Sequence, residues 1–299
     1  MDHGRSRAGS SFEAAREALK ADLRIRWASD AQARRILRLV ERFEVFCTEA
    51  FGVSSFEAVD PAIVRAFVGA ADSNGRPAGA SLQRARRSAI RLMFQCARQL
   101  GLTGSDPTLD VALSPLSSLR ARPLTDDEVL ECRAASMWSL TSARRSLTWA
   151  LAEATCRSGE IPNVRIGDID LESGLVVIGG GGRCDPRTGR LTDWGCHLLG
   201  EHLTRATEPE APLVYSGESA RLGGLVSANS AISQVLQRAG LGDEPDVRPS
   251  SVVAWAGVKV LERTGRIEYV AAALGLKSLD SAASFIGWDW KTDPGGDRG

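Results

Sequence analysis

Ala154-Thr155-Cys156-Arg157-Ser158-Gly159-Glu160-Ile161, followed after three residues by Arg165-Ile166-Gly167-Asp168-Ile169-Asp170-Leu171-Glu172-Ser173-Gly174-Leu175-Val176-Val177-Ile178, is the stretch on which the fold turns. Its first residues close a helix expected over about 141–155. Its end, Gly174 to Ile178, is a short β-branched run that reads as a strand. The glycines from Gly179 to Gly182, with Asp185-Pro186, then turn the chain, and a returning strand is expected near 189–192. A helix, a charged turn and a short hairpin in that order predict an α-rich domain with a small antiparallel sheet.

Working outward, two or three helices fill 193–239. Three more follow at about 249–263, 266–274 and 278–286. The polar segment 291–299 reads as a disordered tail. Upstream, Thr125-Asp126-Asp127-Glu128 is a capping box that starts a helix over about 125–135. Residues 105–122, with Pro107, Pro115 and several serines, read as a linker. Before it the chain is helical. Helices are expected over 12–27, over 29–47 after the cap Ser29, over 61–71 after the cap Asp60, and over 81–100 up to Gly101. The plan is a helical domain at 12–104, the linker 105–122, and a second domain at 123–290.

The 299 residues carry 37 Lys+Arg and 37 Asp+Glu, a formal net charge of zero. The balance is not uniform. Residues 1–122 hold 19 basic and 13 acidic side chains, a net of +6, and residues 123–299 hold 18 and 24, a net of −6. The basic half suits a polyanionic partner. No apolar run approaches the roughly 20 residues of a membrane helix, and Met1 to Ser11 lacks an apolar signal segment. A cytoplasmic protein is expected. Cys184, Cys196, His197 and His202 are metal-binding residue types without paired C-x-x-C spacing, so no metal or other cofactor is expected. No small-molecule ligand is evident either.

Three local patterns together resemble the tyrosine recombinase (phage integrase) family over about residues 12–290. Ala121-Arg122-Pro123-Leu124-Thr125-Asp126-Asp127-Glu128 is similar to the start of the family's catalytic domain. The stretch quoted above is similar to its first-arginine box and the following Asp-Ile-Asp turn and strand. Leu274-Gly275-Leu276, continuing to Phe285, is similar to its closing segment. The resemblance implies a helical SAM-like core-binding domain and an α-rich catalytic-type domain. It also implies duplex DNA as partner, self-association on it, and a place on the nucleoid of a bacterium. In that family a tyrosine attacks a DNA phosphodiester, assisted by two arginines, a hairpin lysine and two His-type groups.

Here Arg157 matches the first arginine and Glu160 the acidic residue three positions on. The other matched positions depart. Ser250 and Val253 stand where a His-x-x-Arg pair is expected, Leu276 where a histidine is, and Phe285 where the tyrosine is. No lysine lies in the hairpin region, although Arg183, Arg187 or Arg190 could supply charge. Phenylalanine keeps the ring without the oxygen. Tyr215 and Tyr269, the only tyrosines, fall in apolar contexts and read as core residues. Arg157 and Glu160 could equally form a plain ion pair.

The two helices that the resemblance assigns to neighbouring major grooves are 29–47 and 81–100. Arg34, Arg38 and Arg42 recur every four residues on the first. On the second, Arg84, Arg87, Arg91 and Arg98 fall within an arc of about 60° beside the apolar face. These arginines and Arg157 are the expected DNA contacts. The reading is a double-stranded DNA-binding protein without catalysis, a regulator or accessory factor. A recombinase with an unorthodox site, and a protein-interaction module that has lost DNA binding, stay open beside it.

Overall fold

The computed structural model describes residues 11–25, 28–71, 75–113, 121–137, 143–181, 184–204, 208–215 and 222–288. The tail 291–299 and Arg183 lie outside them. The chain divides into two compact units, Met1–Leu116 and Ser117–Gly299.

Among the described residues the first unit holds four α-helices: α1 (Ser11–Ile25), α2 (Asp30–Phe51), α3 (Pro61–Gly69) and α4 (Ala80–Gln99). Their starts follow from local chemistry. The Ser29 side chain accepts from the Gln32 amide, and Asp60 accepts from the Ile63 amide at 2.8 Å, with Pro61 in the first turn. Helix α2 runs four residues beyond the expected 47, to Phe51, and ends at Gly52 in the left-handed region. Edge-on aromatic pairs join α1 to α4 through Phe56 (Phe12–Phe56 and Phe56–Phe94) and α2 to α3 (Phe43–Phe67).

Helix α4 is the central element and packs against α1, α2 and α3. This corrects the expected arginine ridge. Arg84, Arg87 and Arg91 are each only 2% exposed. The expected linker is corrected with it, because 103–111 folds back onto that ridge. Arg91 donates from Nε to Thr108 Oγ1 at 3.1 Å and from Nη2 to the Thr108 carbonyl, and Arg87 donates to the Val111 carbonyl at 3.1 Å. Arg98 pairs with Asp106, which also accepts from the Thr108 amide. Around Pro107 this stretch turns so that the Thr108 and Val111 carbonyls satisfy buried guanidinium groups. Three of the four arginines on that side of the helix, Arg87, Arg91 and Arg98, are therefore held by this turn.

The second unit carries α5 (Asp126–Ser136), α6 (Arg144–Glu153), β1 (Ile169–Asp170), β2 (Leu175–Ile178), β3 (Arg187–Arg190), α7 (Asp193–Leu203), α8 (Leu222–Arg238), α9 (Ser251–Thr264), α10 (Ile267–Ala273) and α11 (Leu279–Ile286). The strands form one antiparallel sheet in the order β1-β2-β3, with Val176 opposite Gly189. The capping box at Thr125 is formed in both directions. Helix α6 is the hub and packs against α5, α7, α8 and α9. It buries Trp149, whose indole donates to Glu153 at 2.9 Å, and Glu153 also pairs with Arg133 at 2.8 Å. Gly189 lets β3 pass over the end of α6, since a Cβ there would lie 2.2 Å from the Ala154 carbonyl oxygen.

Candidate functional site

After α6 the chain breaks at Thr155, whose φ of 74° is rare for a β-branched residue. The Thr155 hydroxyl donates to the Ala273 carbonyl at 2.8 Å, and its own carbonyl accepts from Arg187 at 2.7 Å. The turn that follows carries Arg157. Its backbone amide donates to Glu160 at 2.8 Å, but the Glu160 carboxylate does not pair with the Arg157 guanidinium. Arg187 takes both carboxylate oxygens at 2.7 Å, with each group about 5% exposed. The alternative reading of Arg157 and Glu160 as an ion pair does not hold, because a forked pair from the hairpin takes the Glu160 carboxylate instead. Burial disfavours the charge of Arg187, but the Glu160 hydrogen bond and charge outweigh it and raise its pKa. Arg187 is a fastener between β3, the 155–160 turn and the end of α10, where it donates to Ala273. Arg190 is exposed on β3.

Released from Glu160, the half-buried Arg157 lines a cavity of about 320 Å³ together with Ser158, Asn229, Ser250, Val253 and Phe285. Its Cζ lies 4.9 Å from the centre of the Phe285 ring, inside cation–π range. Its Nη2 makes one long bond to the Leu274 carbonyl, at 3.5 Å, and its Nε is buried without a hydrogen bond. Four positions nominated from motifs 128 residues apart in the chain (157 to 285) therefore meet at one place. Leu276 does not line the cavity and packs half-buried on the core. Two lining residues carry no role in the sequence reading: Asn229 stands in no motif, and Ser158, although inside the first-arginine box, is given no chemistry by it.

Among the described residues the only nucleophiles in the cavity wall are the Ser158 and Ser250 hydroxyls. Tyr269, expected in the core, is 51% exposed and packs under Arg266 instead. Tyr215 is half-buried, and neither tyrosine lines the cavity. Burial, with Glu160 adding to it, pushes the Cys156 thiol far up, so it is inert at neutral pH. Among the described residues no group of three His, Cys, Asp or Glu side chains is placed to hold a metal ion.

In the first unit, Arg34, Arg38 and Arg42 are exposed along one side of α2. No salt bridge engages any of the three among the described residues; Arg38 only donates to the Arg34 carbonyl at 3.3 Å. Of the seven arginines nominated on this unit's two helices, these three remain presented to solvent. Arg98 is held by Asp106 and is only 23% exposed.

No helix among the described residues is long and apolar enough to cross a membrane. No protein-family model matches the chain, and no curated protein does. Among solved structures it is similar to a XerA recombinase, at 17% identity over 92% of this chain and 94% of that one, with a TM-score of 0.47. It is similar to a lambda integrase dimer bound to a COC' core site, at 15% identity, 92% and 76% coverage, and a TM-score of 0.45. It is also similar to the XerH site-specific recombinase in a post-cleavage complex with palindromic difH substrate, at 18% identity, 88% and 76% coverage, and a TM-score of 0.47.

Proposed function

We propose that this chain is a tyrosine-recombinase-type protein that binds double-stranded DNA without cutting it, as a regulator or accessory factor. One observation carries the reading. The cavity gathers Arg157, Ser250, Val253 and Phe285, and the ring facing Arg157 is a phenyl. The convergence supports matching these positions to a recombinase site. Their chemistry removes the covalent route, because Phe285 has no oxygen to attack phosphorus, and neither Ser250 nor Val253 supplies an imidazole or a second guanidinium. The seryl hydroxyls have no general base among the lining residues to activate them. DNA binding rests on the exposed Arg34, Arg38 and Arg42, spaced to follow a phosphate backbone along one helix.

The test is a titration with random and genomic duplex across salt, followed by denaturing electrophoresis. Binding should weaken steeply with salt, and replacing Arg34, Arg38 and Arg42 together by Ala should reduce the salt slope by about 2 to 3. No DNA-linked band should appear, from the wild type or from Phe285→Tyr. A band from the wild type overturns the non-cutting reading. Absence of any duplex binding favours the protein-interaction alternative.

A further inference from the structure

The cavity at Arg157 has an uneven wall. Phe285 and Val253 are its apolar lining residues, and Ser158, Ser250 and Asn229 add two hydroxyls and an amide. Among the described residues one cation lines it, and none of the lining residues is a carboxylate. The neighbour that would neutralise this cation, Glu160, is held by Arg187. The guanidinium is left under-satisfied, with a single 3.5 Å bond to the Leu274 carbonyl and a buried Nε that has no acceptor. Helix α9 begins at the same wall, after Ser250, and adds the partial positive charge of its first turn. At about 320 Å³ the space falls at the lower end of small-ligand pockets.

We propose that this cavity binds a small organic carboxylate, one carboxylate carried on an apolar body about the size of a single ring. The inference rests on the reading that the cavity performs no cutting. A guanidinium recognises a carboxylate through two parallel hydrogen bonds, and the hydroxyls and the amide complete its remaining acceptor sites. The apolar body lies against Phe285 and Val253. A single cation with an apolar wall favours a monoanion of this kind over a free phosphate dianion. A DNA backbone phosphate is the other source of an oxyanion for Arg157, and the test separates the two.

The probe is benzoate, titrated into the full chain by amide NMR shifts, with benzamide and inorganic phosphate in parallel and a duplex gel shift on the same samples. Saturable benzoate binding is expected, with a dissociation constant on the order of 1 mM. Benzamide should bind at least about tenfold weaker, since it lacks the charge. Arg157→Met should abolish benzoate binding. Ser250→Leu should do the same by filling the space; the Ser250 side chain makes no capping hydrogen bond, so this variant keeps the decision available if Arg157→Met fails to fold. No saturable shift with benzoate, or a shift unchanged in both variants, overturns the inference. So does a result in which only duplex binding responds to Arg157→Met. Benzoate binding without any duplex binding leaves the inference standing and removes the DNA reading instead.

Discussion

Helices α2 and α4 carry the same signature in sequence, arginines repeated along one side next to an apolar face, and the fold treats them in opposite ways. On α2, Arg34, Arg38 and Arg42 stand in solvent. On α4, Arg84, Arg87 and Arg91 are inside. Spacing fixes the arc that a set of side chains occupies, but the number of neighbours fixes what that arc meets. Helix α4 has α1, α2 and α3 around it, and the 103–111 turn takes up the Arg87 and Arg91 guanidinium groups. An arginine tolerates this because its aliphatic stem packs as a hydrophobe while the planar group reaches carbonyl oxygens. The second unit repeats the contrast with two arginines only. Arg187 is a buried fastener and Arg157 an under-satisfied cation in a cavity wall.

The largest expected effect tests the buried side of this contrast. Arg187→Ala strips Glu160 of both charge-assisted bonds while the carboxylate stays buried. Breaking a buried pair from one side should lower the stability of the protein by about 3–5 kcal/mol, read from urea unfolding. A loss below about 1 kcal/mol would mean that Glu160 escapes to water and the fastener is not structural.

Arg91→Ala comes next. It removes the donors to Thr108 Oγ1 and the Thr108 carbonyl, so about 2–4 kcal/mol should be lost in the same measurement. Arg38→Ala, the matched change on α2, should stay within about 0.5 kcal/mol of the wild type. Equal losses at both positions would erase the distinction between the helices.

Much of the framework was legible in the sequence, and the reasons are local. Ser29, Asp60 and the Thr125 box mark helix starts because their side chains satisfy amides three residues on, whatever surrounds them. The hairpin was legible in Leu175–Ile178, although β3 spans Arg187–Arg190 and not 189–192. Two things were not. The spacing of Arg157 and Glu160 suggests a pair only if the backbone is helical, and Thr155 at positive φ turns the chain out of the helix just before them. The stretch from Ser105 to Val111 reads as linker by composition. Its role depends on guanidinium groups of α4 that need its carbonyls, a tertiary demand with no trace in the segment itself. Asn229 and Ser158 reach the cavity only because α8 and the 157–160 turn meet there.

The smallest effect sharpens the comparison most, because it keeps the charge and changes only its geometry. Lysine presents a point charge on a flexible stem, whereas arginine presents a planar fork. At an exposed phosphate contact the charge supplies most of the attraction, through release of counterions from the DNA. Arg38→Lys should therefore change duplex affinity by less than about threefold and leave the salt slope where it was. Arg91→Lys keeps the charge as well, but one ammonium cannot meet Thr108 Oγ1 and the Thr108 carbonyl in the directions the fork does, and it is more costly to strip of water. It should cost about 1–2 kcal/mol of stability while duplex affinity, measured well below the unfolding transition, stays unchanged. If Arg38→Lys lowers affinity tenfold or more, the α2 row reads base edges or a fixed phosphate fork and not the backbone charge alone. If Arg91→Lys weakens DNA binding without loss of stability, the α4 arginines reach the duplex after all, and the clasp on 103–111 must open when it binds.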